Sequence, residues 1–181
     1  MGVITDWLLR NNTIKEDEIV LYEYAVKNLI LIMIPFSLSV IIGAVLGVPF
    51  QSLGFEIILL VSKKYLGGVH LSSGIVCMAI STALLILSDI IIACNIEPNL
   101  FLVPVMLFML NAWLQSPIES INKPLYNEER KRYTKMSRVI IVILLLTYLI
   151  TMFFSYKQVE LCVACVIIVI GITQMPVYFK S

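Results

Sequence analysis

One histidine, four cysteines and 14 % charged residues are a sparse chemical inventory for a chain of 181 residues. A zinc site draws its ligands from clustered His, Cys and carboxylate side chains. The close pair Cys162 and Cys165 has no second cysteine pair and no histidine near it, so it is expected to pack rather than to hold metal or exchange electrons. Gly67-Gly68 lacks the further glycines and the Lys-Ser/Thr of a phosphate loop, and Ser72-Ser73 lacks the context of a nucleophile elbow. The chain therefore reads as cofactor-free. Thirteen basic against twelve acidic residues leave a net charge of +1, which excludes the strongly basic surface of a nucleic-acid-binding domain. No Pro-, Gly- or Ser-rich linker, repeat or low-complexity tract interrupts the sequence, so a single domain over 1–181 is expected.

Apolar residues dominate. They make up 60 % of the chain, and the mean hydropathy is +0.96, well above the roughly half apolar content of soluble domains. Charge is confined to residues 1–27, to Lys63-Lys64 and to the stretch from Glu119 to Arg138, with apolar blocks between. Asn28 to Val48 is a 21-residue run, interrupted by Pro35 and Gly43, that is long enough to span a bilayer as a helix. Pro49 to Val61 has 13 residues and carries Glu56, reaching only about 20 Å as a helix, which predicts a tilted, buried or re-entrant piece. Leu71–Ala93, Leu100–Leu114, Val139–Tyr156 and Val159–Met175 complete the set, the last two joined by a turn at Lys157-Gln158. The expected fold is all-α: a polytopic integral membrane helical bundle of five to six transmembrane segments, with a short tilted or re-entrant segment near 49–61.

The polar, acidic lead and the lack of a small-residue cleavage pattern argue that the first segment is retained rather than removed as a signal peptide. Residues 16–27 read as an amphipathic helix, lying on the membrane surface or standing free of it. If Pro49–Val61 crosses, twelve of the thirteen Lys and Arg share one side, and only Lys157 lies opposite. The positive-inside rule makes that side cytoplasmic. Both termini, the lead at 1–27 and a basic loop at 116–138 are then expected inside, with His70 near the inner leaflet.

His70 stands seven residues before Cys77 and directly behind Gly67-Gly68 and Val69. A thiol is mostly protonated at neutral pH, and an imidazole that takes its proton makes the thiolate that attacks an acyl carbon. On a straight helix a separation of seven places the two side chains on one face but about 10.5 Å apart. The pair can work only if the backbone breaks, and Gly67, Gly68 and Gly74 supply the freedom for a break between His70 and Cys77.

Lys63-Lys64-Tyr65-Leu66-Gly67-Gly68-Val69-His70, followed seven positions on by Cys77, is similar to the signature of the AgrB family, the accessory gene regulator membrane peptidases. Ser116-Pro117-Ile118-Glu119 and Asn122-Lys123-Pro124-Leu125 resemble that family's loop after the central hydrophobic hairpin. The resemblance implies a membrane cysteine endopeptidase that cuts an AgrD-like precursor peptide and helps to close a cyclic thiolactone pheromone for quorum sensing. It implies Cys77 as nucleophile and His70 as general base. Lys63 stands where the family usually has arginine, and Lys63, Gly67, Gly68, Glu119 and Lys123 are the implied substrate-binding residues. The implied partners are the precursor, membrane lipid and a second copy of the chain.

Backbone N–H groups around Ser72-Ser73-Gly74, or the side chains of Asn111 and Gln115, are candidate oxyanion donors. Glu119, Glu56 or Asp89 are candidates to orient His70, with Asp89 the least able to reach. Asp89 is otherwise expected near the outer end of its segment, meeting water in a structural role. The run from Glu128 to Arg138 reads as a solvated face near anionic lipid that also attracts the acidic part of a peptide. A non-enzymatic peptide exporter or permease component is the alternative, since broken hydrophobic segments and intramembrane acids suit a transport path too.

Overall fold

The computed structural model describes residues 3–11, 13–68, 74–118 and 126–175. Among these the chain forms α1 (Val3–Arg10), α2 (Ile19–Val45), α3 (Pro49–Leu66), α4 (Gly74–Ala93), α5 (Leu102–Gln115), α6 (Asn127–Phe153) and α7 (Lys157–Gln174). Short 3-10 turns at Glu16–Glu18 and Pro98–Phe101 lead into α2 and α5. No strand occurs among the described residues. Five helical stretches are long and apolar enough to cross a membrane: Glu16–Val45, Ile75–Ala93, Pro98–Gln115, Asn127–Phe153 and Lys157–Gln174. The expected all-α polytopic bundle is the observed fold.

Several boundaries differ from the sequence reading. Residues 19–27 are not a separate surface helix, because α2 runs unbroken from Ile19 through Pro35 to Val45. A proline is tolerated within a membrane helix, where neighbouring helices and local adjustment accommodate the lost hydrogen bond. The stretch 127–138 is likewise not loop but the first three turns of α6. Its Glu, Arg and Lys residues are good helix formers, Glu128 and Glu129 suit the positive end of the helix dipole, and Lys131 pairs with Glu128 at 3.3 Å. The last turn falls at Phe154–Tyr156 rather than at Lys157-Gln158, and Ser155 carries its positive φ of 56°.

α3 is longer than the 13-residue piece expected, at 18 residues. Lys63 and Lys64 extend the helix instead of ending it, since cations in a last turn complement the dipole. The helix buries Ser52, Phe55, Glu56, Leu59, Ser62 and Leu66, one stripe at helical spacing. Turning the serines and the acid inward leaves Phe50, Leu53, Ile57, Leu60 and Val61 outside. α3 runs parallel to α7 over its whole length. Gln51 bonds Gln158 at 2.7 Å at one end, and Gln174 bonds the Leu66 carbonyl at 3.4 Å at the other. α3 thus matches the apolar α7 in length and lies along it inside the bundle, although it is not among the five stretches apolar enough to cross a membrane.

α7 is the central helix. Every residue from Glu160 to Ile167 is buried, the pattern of a helix surrounded on all sides. It packs against α3, α4, α5 and α6, and the unpaired Cys162 and Cys165 fill this interior as expected. Gly171 lets Phe108 of α5 lie against the α7 backbone. α2, by contrast, buries only Pro35, Ser39 and Gly43. Its large residues, Ile34, Leu38, Ile41 and Val45 among them, face outward.

The junction of α2, α3 and α4 is polar. The Ser39 hydroxyl donates to Asp89 Oδ2 and the Ser52 hydroxyl to Asp89 Oδ1, each at 2.6 Å, and all three residues are buried. Asp89 therefore does not meet water, as the sequence alone had placed it; it lies inside the bundle with both oxygens engaged. Gly43 makes this approach possible, because a Cβ there would run into the Ser52 side chain. Interhelical hydrogen bonds in membranes contribute on average about 0.6 kcal/mol and at most about 1.7. Ser52→Ala is accordingly expected to lower stability by about 1 kcal/mol, and the overpacked Gly43→Leu by about 1–3 kcal/mol. Unfolding by denaturant in mixed micelles measures both, and a Gly43→Leu protein as stable as the parent contradicts the close α2–α3 approach.

Candidate active site

The last turn of α3 sets one edge of the site. Gly67 caps the helix with φ 76° and ψ −172°, a conformation open essentially to glycine alone. Its N–H bonds the Lys63 carbonyl at 3.0 Å. A Cβ on Gly67 would lie 3.0 Å from Ile118 N and 3.1 Å from its carbonyl carbon, with the carbonyl oxygen closer still. Ile118 N–H in turn donates to the Leu66 carbonyl at 3.1 Å. The segment following α5 is thus laid across the end of α3. Gly68 abuts Thr173 of α7, at ordinary contact distance.

α3 ends at Leu66, before the glycine pair, and α4 is described from Gly74, so that Gly74 to Cys77 are helical. The break expected between His70 and Cys77 falls on 69–73, outside the described residues. His70, Glu119 and Lys123 lie outside the described residues, as do Ser72 and Ser73.

Cys77 is the fourth residue of α4, half-buried and unpaired. Lys63, half-buried in the last turn of α3, lies within electrostatic range of both Cys77 and Glu56. The remaining cysteines differ in setting: Cys162 and Cys165 are in the core, and Cys94 is exposed just beyond the opposite end of α4. Among the residues expected to form the site, the structure brings together Lys63, Gly67, Gly68 and Cys77 at one end of the bundle.

The candidate orienting acids divide. Asp89 is held by Ser39 and Ser52 and takes no part near Cys77. Glu56 is buried, and its Oε1 has no hydrogen-bond partner among the described residues. Asn111 and Gln115 stand in the C-terminal half of α5, Gln115 with its amide oxygen buried and without a partner among the described residues. On the same end of the bundle, Asn127, Arg130, Lys131, Thr134, Lys135 and Arg138 of α6 line a shallow basic groove. Arg138 closes its lower edge by stacking on Trp113, 4.1 Å from ring centroid, and by donating to the Trp113 carbonyl.

Three polar residues important to this arrangement are not singled out by the sequence motifs. Ser39 and Ser52 hold Asp89, and Gln174 donates to both the Leu66 carbonyl and Ser116 Oγ. Each interrupts an apolar run, which in a membrane segment is itself a sign of an interior partner.

Five helices long and apolar enough to cross a membrane, with a free thiol at one end within electrostatic range of a lysine and near a glycine-capped helix, define a polytopic α-helical membrane protein. The chain belongs to the accessory gene regulator B family, AgrB, whose model matches residues 2–175. No curated protein and no solved structure matches it. Membership makes it a multi-pass membrane protein of accessory gene regulator quorum sensing, from a family with a role in peptide processing and a relationship to a precursor peptide such as AgrD.

The two glycines make opposite demands. Gly67→Ala is expected to lower stability by at least about 1–2 kcal/mol, from backbone strain alone, and to reduce peptide processing in membranes. Gly68→Ala, with only ordinary contacts to meet, is expected to leave the melting temperature within a few degrees of the parent's. Equal tolerance of both substitutions contradicts the cap geometry.

Proposed function

We propose that this protein is a membrane cysteine endopeptidase that cleaves an AgrD-like precursor and promotes closure of a cyclic thiolactone. His70 takes the Cys77 proton, and the sulfur attacks the scissile carbonyl carbon. The C–N bond breaks, the leaving amine collects the proton from His70, and the N-terminal part of the peptide remains as a thioester on Cys77. A thiol within that acylated peptide then attacks the thioester carbonyl, forming the thiolactone and returning the Cys77 thiol. Exclusion of water at the membrane favours this exchange over hydrolysis. The developing oxyanion is held by backbone N–H groups at the start of α4.

The observation that carries the reading is the contrast among the cysteines: Cys77 alone is half-buried at the glycine-broken end of the bundle with a lysine near it. The basic groove on α6 supports it further, because it offers positive charge to the acidic part of a precursor. Lys63, Gly67 and Gly68, with Glu119 and Lys123, contact the peptide. The end of the bundle bearing these groups faces the cytoplasm, with both chain termini, and the protein works as a homodimer in contact with membrane lipid.

In membranes containing the full chain and a genuine precursor, Cys77→Ser is expected to abolish cleavage. His70→Ala should slow it by about 10²–10⁴-fold, and Lys63→Arg should retain more activity than Lys63→Met. Cleavage that persists in Cys77→Ser removes the peptidase reading, and peptide translocation without cleavage by the parent establishes the exporter instead. The orientation is checked in intact cells on a Cys94→Ser background. Lys157→Cys is expected to react with a membrane-impermeant maleimide from outside, and Lys135→Cys only after permeabilisation; the reverse pattern inverts the topology.

A further inference from the structure

α3 ends where it must be held most firmly. Its terminal carbonyls have no partners within the helix, and the Leu66 carbonyl, with Leu66 fully buried, has no water to turn to. Two donors reach it from different parts of the chain: Ile118 N–H at 3.1 Å and Gln174 Nε2 at 3.4 Å. The same Gln174 amide reaches Ser116 Oγ at 3.1 Å. Gln174 is fully buried and Ser116 nearly so. One turn of α7 therefore grips the end of α3 and the start of the segment after α5 with a single side chain. Its neighbour Thr173, whose hydroxyl is turned to the Ile170 carbonyl at 2.9 Å, supports Gly68.

This is an expensive way to fill space. Gln174 Oε1 is buried with no hydrogen-bond partner among the described residues, and an unpaired buried acceptor forfeits the free energy of its lost hydration. An aliphatic side chain of similar volume would pack the position without that loss. Of the two hydrogen bonds that Gln174 does make, one reaches the turn carrying Lys63 and Gly67 and the other the segment laid across it.

We propose that Gln174 is a positioning residue for the peptidase, fixing the end of α3 and the glycine pair in register with Cys77 through Leu66 and Ser116. The inference rests on the cysteine-peptidase reading above. Gln174 does not touch the peptide; it holds the elements that do. A displacement of about 1 Å in such a support lowers turnover by up to about 10²-fold while leaving the binding surface in place.

The test uses the full chain reconstituted in lipid vesicles, with Gln174→Leu and Gln174→Met, both of which keep the bulk and remove the amide. Three quantities are measured: kcat and KM for the precursor, the melting temperature, and the rate of Cys77 alkylation by iodoacetamide followed by mass spectrometry of the Cys77 peptide. The expected result is a fall in kcat of at least about tenfold with KM changed by less than about twofold, slowed alkylation, and a melting temperature equal to or above the parent's. Ser116→Ala, which removes one of the two acceptors, should move kcat in the same direction by less. Unchanged kcat and alkylation in both variants overturns the proposal. So does a fall in activity that merely follows a fall in melting temperature in both, since that is what a packing role produces. Should the parent fail to cleave the precursor, the peptidase reading fails, while the alkylation rates still show whether Gln174 sets the surroundings of Cys77.

Discussion

In hydrocarbon, a leucine is as well solvated by a lipid tail as by another leucine, so apolar contact alone gives helices little reason to associate. The two hydrogen bonds from Ser39 and Ser52 to Asp89 answer that constraint. A carboxyl group on α4 has no acceptable environment in lipid, and two hydroxyls from α2 and α3 supply one. Gly43 permits the approach by leaving room for Ser52. With α2, α3 and α4 tied in this way, the end of α3 and the start of α4 are brought to the same end of the bundle, and Lys63 comes within range of Cys77.

The second support is α7. Because it is enclosed by α3, α4, α5 and α6, it connects the polar junction to the far end of the bundle. Cys162, on its inner surface, approaches the Gln51 carbonyl at 3.8 Å, and twelve residues later Gln174 meets Leu66. Both ends of α3 are thereby referenced to one partner helix. A half-buried thiol next to a helix that is fixed at both ends has a defined neighbourhood, which is what separates Cys77 from the exposed Cys94 at the other end of α4.

Hydropathy made the architecture readable: the long apolar runs around Pro35, Asp89, Leu107, Leu144 and Val166 all became crossing helices. It failed where charge and helix coexist. Glu128 to Arg138 read as loop because charge and lipid are incompatible, yet the helix simply continues past the membrane into water, where those residues are good helix formers. Residues 19–27 were detached from α2 for the same reason. α3 looked too short because Glu56, Ser62 and Lys63 lower its average hydropathy, an average that cannot record that Glu56 and Ser62 face inward. For the site, the Gly67 break and the free Cys77 were visible as motif and spacing. The contribution of Gln174 was not, since its partners Leu66 and Ser116 are 108 and 58 residues away.

The placement of α7 also orders assembly in time. Ser39, Ser52 and Asp89 all belong to helices made early, so α2, α3 and α4 can satisfy their own polar groups before the rest of the chain is synthesised. The Leu66 carbonyl has no such early companions: Ile118 and Gln174 come 52 and 108 residues later. The floor beneath the glycine pair is thus among the last parts of the molecule to be completed, and a nascent chain shorter than 174 residues carries its thiol without that floor.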